Sequence, residues 1–327
     1  MSNQILVFDI ENAKQIRNIQ QWRQERPVGI CCAATLTTNN TLRLWHGAEQ
    51  PDGRLRSRMS PNECIKLARY LLDMQASGYT VLTWNGLDFD LNILAEECQD
   101  SEVQENLADL ALNHIVVLFA VFSETGSLVS LDKAAKGMGQ QGKLEGIQGE
   151  DVPKMWATSR ALQDKVLQYV TQDVRVTLKV YEAIVDQRLL LWETNTGRLK
   201  QWKPRNGYVP TVSKALEGPE PDTSWMANPT SRVDFCDWIQ KILPNRIAIS
   251  PRRRMAQWNG RTKAVPGTSQ ETPKKWTIKE EQRLLTAFDS GVHVDNLAKE
   301  HGRTPSAIRI RLHKLGRVLP GEQISGT

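Results

Sequence analysis

The chain has 327 residues, enough for two or three folding units, and its 40% hydrophobic and 24% charged residues are typical of a soluble globular protein. No run of about 18 uninterrupted apolar residues occurs, which argues against a membrane span. The net charge of +5 is unevenly distributed, because residues 251–327 contain 15 Lys/Arg and 7 Asp/Glu, whereas residues 1–250 contain 27 and 30. A basic C-terminal part on a mildly acidic body indicates contact with a polyanion.

The N-terminal residues and the cysteines favour an intracellular protein. The start, MSNQILVFDIENAK, lacks the basic segment and the long apolar core of a signal peptide, so we expect a cytoplasmic location. The five cysteines form no CxxC motif and no His/Cys cluster. We expect them to be reduced and buried, and we expect no zinc site.

Short apolar segments predict the strands of a sheet near the N-terminus. Asn39-Asn40 separates two such segments and predicts a hairpin turn between them. The predicted strands lie at residues 5–11, 28–37, 41–47 and 80–85.

Capping residues and apolar periodicity predict the helices. Ser60 as N-cap, Pro61 at the first helical position and Glu63 as the partner in a capping box open a helix that should run to about Gly78. The other helices predicted in this part lie within residues 87–98, in the helical middle that follows, at 130–139 and at about 160–188. Hairpins followed by strand–helix alternation predict an α/β fold with a mixed sheet flanked by helices.

The composition and the apolar pattern of the chain change after about residue 190. A small hairpin is predicted at about 191–202 and a short amphipathic helix at 231–243, with a segment rich in Pro, Gly and Ser between them. Three helical segments follow a basic stretch of linker composition. The predicted units are residues 1–190, an extension at 191–249 packed on them, a flexible linker at 250–275 and a small all-α unit at 276–319.

Four acids are candidates for metal ligands. Asp9 and Glu11 are two residues apart on a buried strand, so both side chains point to one face. Burial of each ionised carboxylate costs solvation free energy unless a cation compensates for it. Asp90 follows a strand-to-helix corner, and Asp173 lies on the late helix, four residues after Tyr169 and on the same helical face. If they converge, these carboxylates suit one or two Mg²⁺ or Mn²⁺ ions.

The motifs FDIE (8–11), NGLDFD (85–90) and YVTQD (169–173), in this order, resemble the three exonuclease motifs of the DEDD 3′–5′ exonucleases, which have an RNase H-like fold. The Tyr four residues before the last Asp is typical of the DEDDy branch, which includes the proofreading domains of DNA polymerases. Two longer segments, GSLVSLDKAAKGMGQQGKLEGIQGEDVPKMW (126–156) and PEPDTSWMANPTSRVDFCDWI (219–239), resemble a bacterial group of polymerase-B-like exonucleases. The resemblance covers roughly residues 4–243.

This resemblance implies a role for each matching position. Asp9, Glu11 and Asp173 would hold the metal that activates water, Asp9 would also face a second metal, and Asp90 would assist through water. Tyr169 would orient the attacking water. The motif frame of Asn85, Phe89 and Asp90 favours Asp90 over its rival Asp88, and Asn85 and Phe89 are expected to contact nucleic acid.

Other residues of this region have less specific interpretations. Phe8 and Trp84 could stack on a base but are expected in the core, and His114 is expected to pack or form a hydrogen bond. The glycine-rich stretch at 137–149 is expected to form a loop near the substrate groove.

The C-terminal unit contains the segment GRTPSAIRIRLHKLG (302–316), a candidate recognition helix, and resembles a helix-turn-helix of the bacterial Myb-like or sigma-factor-like kind. Ile308, Leu312 and Leu315 give its third helix an inward apolar face. The candidate DNA-contacting residues on its other face are Ser306, Arg309, Arg311 and His313, and Arg252–Arg254 of the linker would add attraction for phosphates. Small three-helix units also bind proteins, so that alternative stays open.

The expected function is therefore a metal-dependent 3′–5′ exonuclease that uses two Mg²⁺ or Mn²⁺ ions, acts on nucleic acid with DNA as the favoured substrate, and is tethered to a DNA-binding module. The alternatives are a catalytically inactive nucleic-acid-binding or regulatory protein and an exoribonuclease. An RNase H-type endonuclease is less consistent with Tyr169 and with an Asp on the closing helix.

Overall fold

The computed structural model describes residues 4–17, 19–140, 142, 146–194, 196–226, 229–244, 276–303, 305–315 and 317. The predicted linker at 250–275, with Arg252–Arg254, lies outside the described residues. Contacts divide the chain into two compact units, one of residues 1–223 and 230–248 and one of residues 224–229 and 249–327.

The first unit is built on a five-stranded mixed sheet. Its strands are β1 (Ile5–Asn12), β2 (Ile30–Thr37), β3 (Leu42–His46), β4 (Thr80–Thr83) and β5 (Ile115–Val116). Their order is β3-β2-β1-β4-β5, with β1 antiparallel to β2 and parallel to β4. β1 is therefore the central strand, and it is bonded to a neighbour on each side.

Helices pack on this sheet and around it. They are α1 (Pro61–Ala76), α2 (Asp90–Cys98), α3 (Ser101–Asn113), α4 (Val117–Thr125), α5 (Leu131–Gly137), α6 (Val152–Thr158), α7 (Arg160–Gln187), α8 (Val212–Glu217) and α9 (Arg232–Ile242). Two 3-10 segments (Ile19–Glu25 and Gly149–Asp151) and a separate antiparallel hairpin of β6 (Leu190–Glu193) and β7 (Leu199–Trp202) complete the unit. The core lies between the sheet and α7, whose buried face includes Val166, Val170, Val174 and Val180.

Local sequence signals account for most of these elements. The Ser60–Glu63 capping box opens α1 with Pro61 at its start, as predicted, and the helix ends at Ala76. The hairpin of β2 and β3 turns at Asn39-Asn40, where Asn40 adopts φ +65°. The five cysteines are buried and unbonded, which confirms that prediction. α6, α8 and the 3-10 segment at Ile19–Glu25 were not predicted, because each is too short to show a clear apolar period.

The described residues of the second unit form three helices around a small apolar core. They are α10 (Ile278–Asp289), α11 (Val294–Glu300) and α12 (Pro305–Lys314). Thr277 and Glu280 form the predicted capping box at the start of α10. Buried Leu284, Leu297, Ile308 and Leu312 hold the three helices together. In the described part of the chain, no helix is both long enough and apolar enough to cross a membrane.

Candidate active site

Three carboxylates meet on one face of the central strand. Asp9 and Glu11 of β1 pair across to Ala34 and Cys32 of β2, and their spacing directs both side chains to the same face. α7 packs on β1 and β2 and carries Asp173. One carboxylate oxygen of each of Asp9, Glu11 and Asp173 lies within 4.8 Å of the others.

Asp90 joins this group through the backbone of β1. It is the first residue of α2, and its Oδ1 accepts a 3.0 Å hydrogen bond from the amide of Ile10, between Asp9 and Glu11. The pairing of β1 with β4 ends at Val7, so β4 offers no acceptor to the Ile10 amide. The carboxylate of Asp90 accepts this hydrogen bond instead. Asp90 is buried, and this bond fixes its position beside the two strand acids.

The acids and Tyr169 line one open cavity of about 690 Å³. Tyr169 is one helical turn before Asp173 on α7, and both side chains reach the cavity. The structure thus brings the five predicted catalytic residues to one place: Asp9, Glu11, Asp90, Tyr169 and Asp173.

The donor set of this cavity fits a hard divalent cation. Glu11 and Asp173 are 7% and 2% exposed, and each faces further carboxylates a few ångströms away. Desolvation and like-charge repulsion both disfavour the ionised forms unless a cation compensates. Oxygen ligands at this spacing suit Mg²⁺ or Mn²⁺, so Asp9, Glu11 and Asp173 could hold such an ion.

The two residues expected to contact nucleic acid in this unit also line the cavity. Asn85 is partly exposed there, and its carbonyl oxygen accepts a 3.1 Å hydrogen bond from the amide of Phe89. Phe89 is held from the other side by an edge-on contact with Trp22, with ring centroids 5.1 Å apart. Both side chains are therefore positioned by the strand-to-helix corner of residues 85–90.

Asp88, the rival of Asp90, does not line the cavity. Its carboxylate pairs with the guanidinium of Arg23, which also donates a 3.0 Å hydrogen bond to the carbonyl of Asp234. Desolvation raises the pKa of Asp88 to about 6, although Arg23 favours the ionised form. Asp88 thus links the corner of residues 85–90 to Arg23 and, through Arg23, to Asp234 of α9. Asp90 lines the cavity with the other acids.

The helix α9 supports this corner from outside the cavity. The indole Nε1 of Trp238 donates a 2.7 Å hydrogen bond to the carbonyl of Leu87, and Phe235 packs against Phe119 and Phe122 of α4. The amphipathic pattern of residues 231–243 predicts the helix but gives no sign of its target.

Sequence reasoning missed two charged residues of the cavity. Arg17 lies on the loop after β1 and is the one cation among the described residues that line the cavity, and Glu150 lies on the short 3-10 segment before α6. Arg17 belongs to no motif, and Glu150 lies within the segment 126–156, whose resemblance gave no role to this residue. Gln148 and Gly149 also line the cavity, where the glycine-rich loop was expected to approach the substrate.

Three residues interpreted as structural occupy structural positions. Phe8 is buried, and Trp84 is 8% exposed with its Nε1 donating a 3.0 Å hydrogen bond to Val129, although its ring edge also lines the cavity. His114 is fully buried, and its ring nitrogens lie 2.6 Å from the Ala111 carbonyl oxygen and 3.3 Å from Thr83 Oγ1. These contacts confirm the prediction that His114 packs and forms hydrogen bonds.

The second unit holds the remaining predicted contacts. Ile308 and Leu312 are buried, as predicted, and Arg309 is exposed on α12. Arg311 instead pairs with Glu281 of α10 and lies near the Trp276 ring. The side chains of Ser306 and His313 lie outside the described part of the chain.

Comparison with known proteins gives a family match for part of the chain. Residues 52–185 match the model of the family RNase_H_2, described as RNase_H superfamily. This range includes Asp90, Tyr169 and Asp173 and excludes the β1 acids. No curated protein matches this chain.

A solved structure is also similar. It is the family B DNA polymerase from the hyperthermophilic archaeon Pyrobaculum calidifontis, with 18% sequence identity and a TM-score of 0.42. The match covers 57% of this chain and 25% of the polymerase chain, so this protein matches about a quarter of the polymerase's length.

The strand order β3-β2-β1-β4-β5, the flanking helices and the family match over residues 52–185 agree with one another. The first unit has an RNase H-like fold, a mixed five-stranded sheet flanked by helices.

Proposed function

We propose that this protein is a metal-dependent 3′–5′ exonuclease that hydrolyses phosphodiester bonds of nucleic acid, with DNA as its substrate. The observation that carries the proposal is the meeting of Asp9, Glu11 and Asp173, whose oxygens lie within 4.8 Å of one another in a cavity shared with Asp90 and Tyr169. An RNase H-like fold that gathers acids at the face of its central strand supports nuclease chemistry over a purely structural role.

Each of these side chains has a task in the proposed reaction. Asp9, Glu11 and Asp173 would hold two divalent ions, and Asp90 would assist through water. The chemistry that such ions would supply is activation of water at neutral pH and stabilisation of charge on the attacking and leaving oxygens. The hydroxyl of Tyr169 orients the attacking water from the same helical face as Asp173.

The remaining residues of the cavity hold the substrate. Phe89 offers an apolar ring, fixed by Trp22, on which the terminal base stacks, and Asn85 offers an amide for hydrogen bonds to the terminal nucleotide. Arg17 supplies positive charge to a cavity otherwise dominated by carboxylates, and so attracts the phosphate being transferred. The 3′–5′ direction is supported by the resemblance of the three motifs to DEDDy exonucleases.

A 5′-labelled single strand of DNA tests the proposal. In Mg²⁺ or Mn²⁺ we expect a ladder of progressively shorter 5′-labelled products, and none with a chelator. Asp9→Ala and Asp173→Ala each remove a metal ligand and should abolish the ladder. The same assay with a labelled RNA strand distinguishes a deoxyribonuclease from an exoribonuclease.

Asp88→Asn is the matched control, because Asp88 is an acid of the same corner that does not line the cavity. It should keep the ladder. Equal activity of the wild type, Asp9→Ala and Asp173→Ala would refute the assignment of the site. Absence of cleavage by the wild type with either metal and either nucleic acid would favour a binding protein with an inactive acidic cavity.

We further propose that the three-helix unit binds duplex DNA, with Ser306, Arg309, Arg311 and His313 as the contacting residues. The net charge of residues 251–327 and the exposure of Arg309 support this. Arg309→Ala should weaken duplex binding. The slope of the logarithm of the binding constant against the logarithm of the salt concentration should fall in magnitude by about one, the value for one lost phosphate contact. Arg311→Ala also removes an ion pair within the unit, so its effect should be accompanied by a loss of stability that circular dichroism would detect.

A further inference from the structure

A second cavity, lined by three arginines, lies on the loop between β3 and α1. It has a volume of about 620 Å³ and is lined by Arg54, Arg56 and Arg58 together with polar side chains of the same loop and residues of α6 and α7. The three arginines occupy every second position of the loop, and their side chains are exposed. Leu55 and Met59 of the same loop are buried. No part of the proposed hydrolytic site uses this cavity.

The loop that carries these arginines is held by buried side chains of the helices. The amide group of Gln163, which is 2% exposed, accepts a 2.8 Å hydrogen bond from the Leu55 amide and donates a 3.0 Å bond to the Leu55 carbonyl. The indole of Trp156 donates a 2.9 Å bond to the carbonyl of Arg56, and the amide of Met59 donates a 2.7 Å bond to Ile30 of β2. The backbone of the arginine loop is thus fixed against the core, so its cations are presented from a rigid frame.

Arg54 and Arg56 are exposed and available to an anion. Arg54 pairs with Asp52 at 2.8 Å, with both side chains nearly half exposed, and Arg58 lies 3.5 Å from Glu97. The exposed pair of Arg54 and Asp52 contributes about 0–1 kcal/mol, so a phosphate can compete for the Arg54 guanidinium. Arg58 also compensates the buried carboxylate of Glu97, and only its exposed part faces the cavity. Guanidinium binds phosphate oxygens through two parallel hydrogen bonds.

The arginine cavity and the acidic one are both lined by residues of α6. Pro153 of α6 lines the cavity of the acids, while Trp156 and Ala157 of the same helix line the arginine cavity. Four residues of an α-helix span about 6 Å, so a bound strand could reach from one cavity to the other. Trp156 is buried and its indole nitrogen is bonded to the loop, so the ring offers no face on which a base could stack.

We infer that the Arg54–Arg58 loop binds the sugar-phosphate backbone of single-stranded nucleic acid upstream of the 3′ nucleotide that is removed. This inference rests on the proposed exonuclease function and specifies how that site takes a long strand. Because the cavity presents guanidinium groups and no stacking ring, the binding is independent of base sequence.

Kinetics on a long and a short substrate test the inference. The variant Arg54→Gln/Arg56→Gln keeps Arg58, whose loss would leave the buried Glu97 without its pair. On a 12-residue oligothymidylate we expect its KM to rise about tenfold or more, with kcat retained, and the salt dependence of log KM to fall by about 1.4 for two lost phosphate contacts. On the p-nitrophenyl ester of thymidine 5′-phosphate, which has no upstream backbone, both constants should match the wild type.

The control is Lys200→Gln/Lys203→Gln, which removes two exposed charges at residues that line neither cavity. It should behave as the wild type on both substrates. An unchanged KM for the oligonucleotide in the arginine variant, or an equal rise in the control, would overturn the inference, and so would an equal loss on the short ester.

A binding measurement separates failure of this inference from failure of the exonuclease proposal. If the wild type cleaves neither substrate, fluorescence anisotropy of the labelled oligonucleotide in chelator still compares the three full-length proteins. Salt-sensitive binding that is weakened only in the arginine variant would support the backbone site without the activity. Identical binding by the three proteins would reject it.

Discussion

Asp90 has two roles in the structure, one in the cavity and one as a hydrogen-bond acceptor for the central strand. It lines the cavity with the other acids, and it accepts the hydrogen bond of the Ile10 amide at the point where β1 leaves β4. Loss of the carboxylate would therefore affect both the proposed metal site and the strand, and the choice of substitution decides which effect is measured.

Asp90→Asn and Asp90→Ala should differ in stability and agree in activity. Asparagine keeps an oxygen that accepts from Ile10, so we expect the free energy of unfolding to stay close to that of the wild type. Alanine leaves a buried amide without its acceptor, which costs about 1–3 kcal/mol. Both should lose most of the nuclease activity, as measured on the labelled strand, and full activity in Asp90→Asn would contradict a role for this charge.

Asp88 makes the stability of the protein depend on pH. Burial raises its pKa to about 6 in spite of Arg23, whereas in the unfolded chain it has an ordinary value near 3.8. The folded state thus binds more protons between these values, and this group's contribution to stability is present below about pH 4 and lost as the pH rises through 6.

Asp88→Asn should therefore be more stable than the wild type at pH 7, by up to about 3 kcal/mol, and similar to it at pH 3.5. Urea unfolding of both proteins across this range measures the difference. A variant that is less stable than the wild type at pH 7 would show that the pair with Arg23 outweighs the desolvation of the carboxylate.

The spacing of the acids could be predicted from the sequence, because strand and helix periods fix which side chains share a face. Asp9 and Glu11 on one strand, and Tyr169 with Asp173 on one helix, follow from that alone. The bond from Ile10 to Asp90 and the entry of Arg17 into the cavity depend on how separate elements pack, and no local pattern encodes them.

At the scale of elements, the junction of α5 and β6 shows a close approach of two backbones. A Cβ placed on Gly137, the last residue of α5, would lie 2.0 Å from the carbonyl oxygen of Leu191 and 2.7 Å from the Cα of Trp192. The contact joins α5 to the hairpin of β6 and β7, which the sequence analysis assigns to the start of an extension, at 191–249, packed on the first unit. The helix at 130–139 could be predicted from its capping residue, but its packing partner could not.

Gly137→Ala should destabilise the protein by at least about 2 kcal/mol, because the neighbouring atoms are backbone and cannot rotate away. Thermal unfolding followed by circular dichroism measures the change. Gly149→Ala is the control, since no atom lies within 4 Å of its added Cβ and its φ is not positive. A Gly137→Ala protein as stable as Gly149→Ala would mean that the hairpin shifts without cost.

At the scale of the whole molecule, the proposed metal site would couple stability to divalent ions. Three carboxylates within 4.8 Å repel one another in the folded protein, and an ion that binds them favours the folded state. The general fold could be predicted from hairpins followed by strand–helix alternation, whereas the distances between the acids, on which this expectation depends, could not.

Mn²⁺ should raise the free energy of unfolding by about 2.7 kcal/mol at a concentration of one hundred times its Kd. Differential scanning calorimetry of chelator-treated protein, with and without Mn²⁺, measures the effect independently of activity. Asp173→Asn should remove most of this stabilisation and should equal or exceed the wild type in chelator. Asp164→Asn, an exposed acid of the same helix, should respond to Mn²⁺ as the wild type does. Identical responses of all three proteins would exclude a metal at these acids.

Because β1 is the central strand, the part of the cavity that it forms is rigid. Its amides are bonded to β2 along most of the strand, to β4 at one end and to Asp90 at Ile10. Amide protons of such a strand exchange with solvent deuterium mainly when the entire sheet opens. The spacing of Asp9 and Glu11 is therefore set before any nucleic acid arrives, and deuterium uptake at these two positions should be among the slowest in the protein.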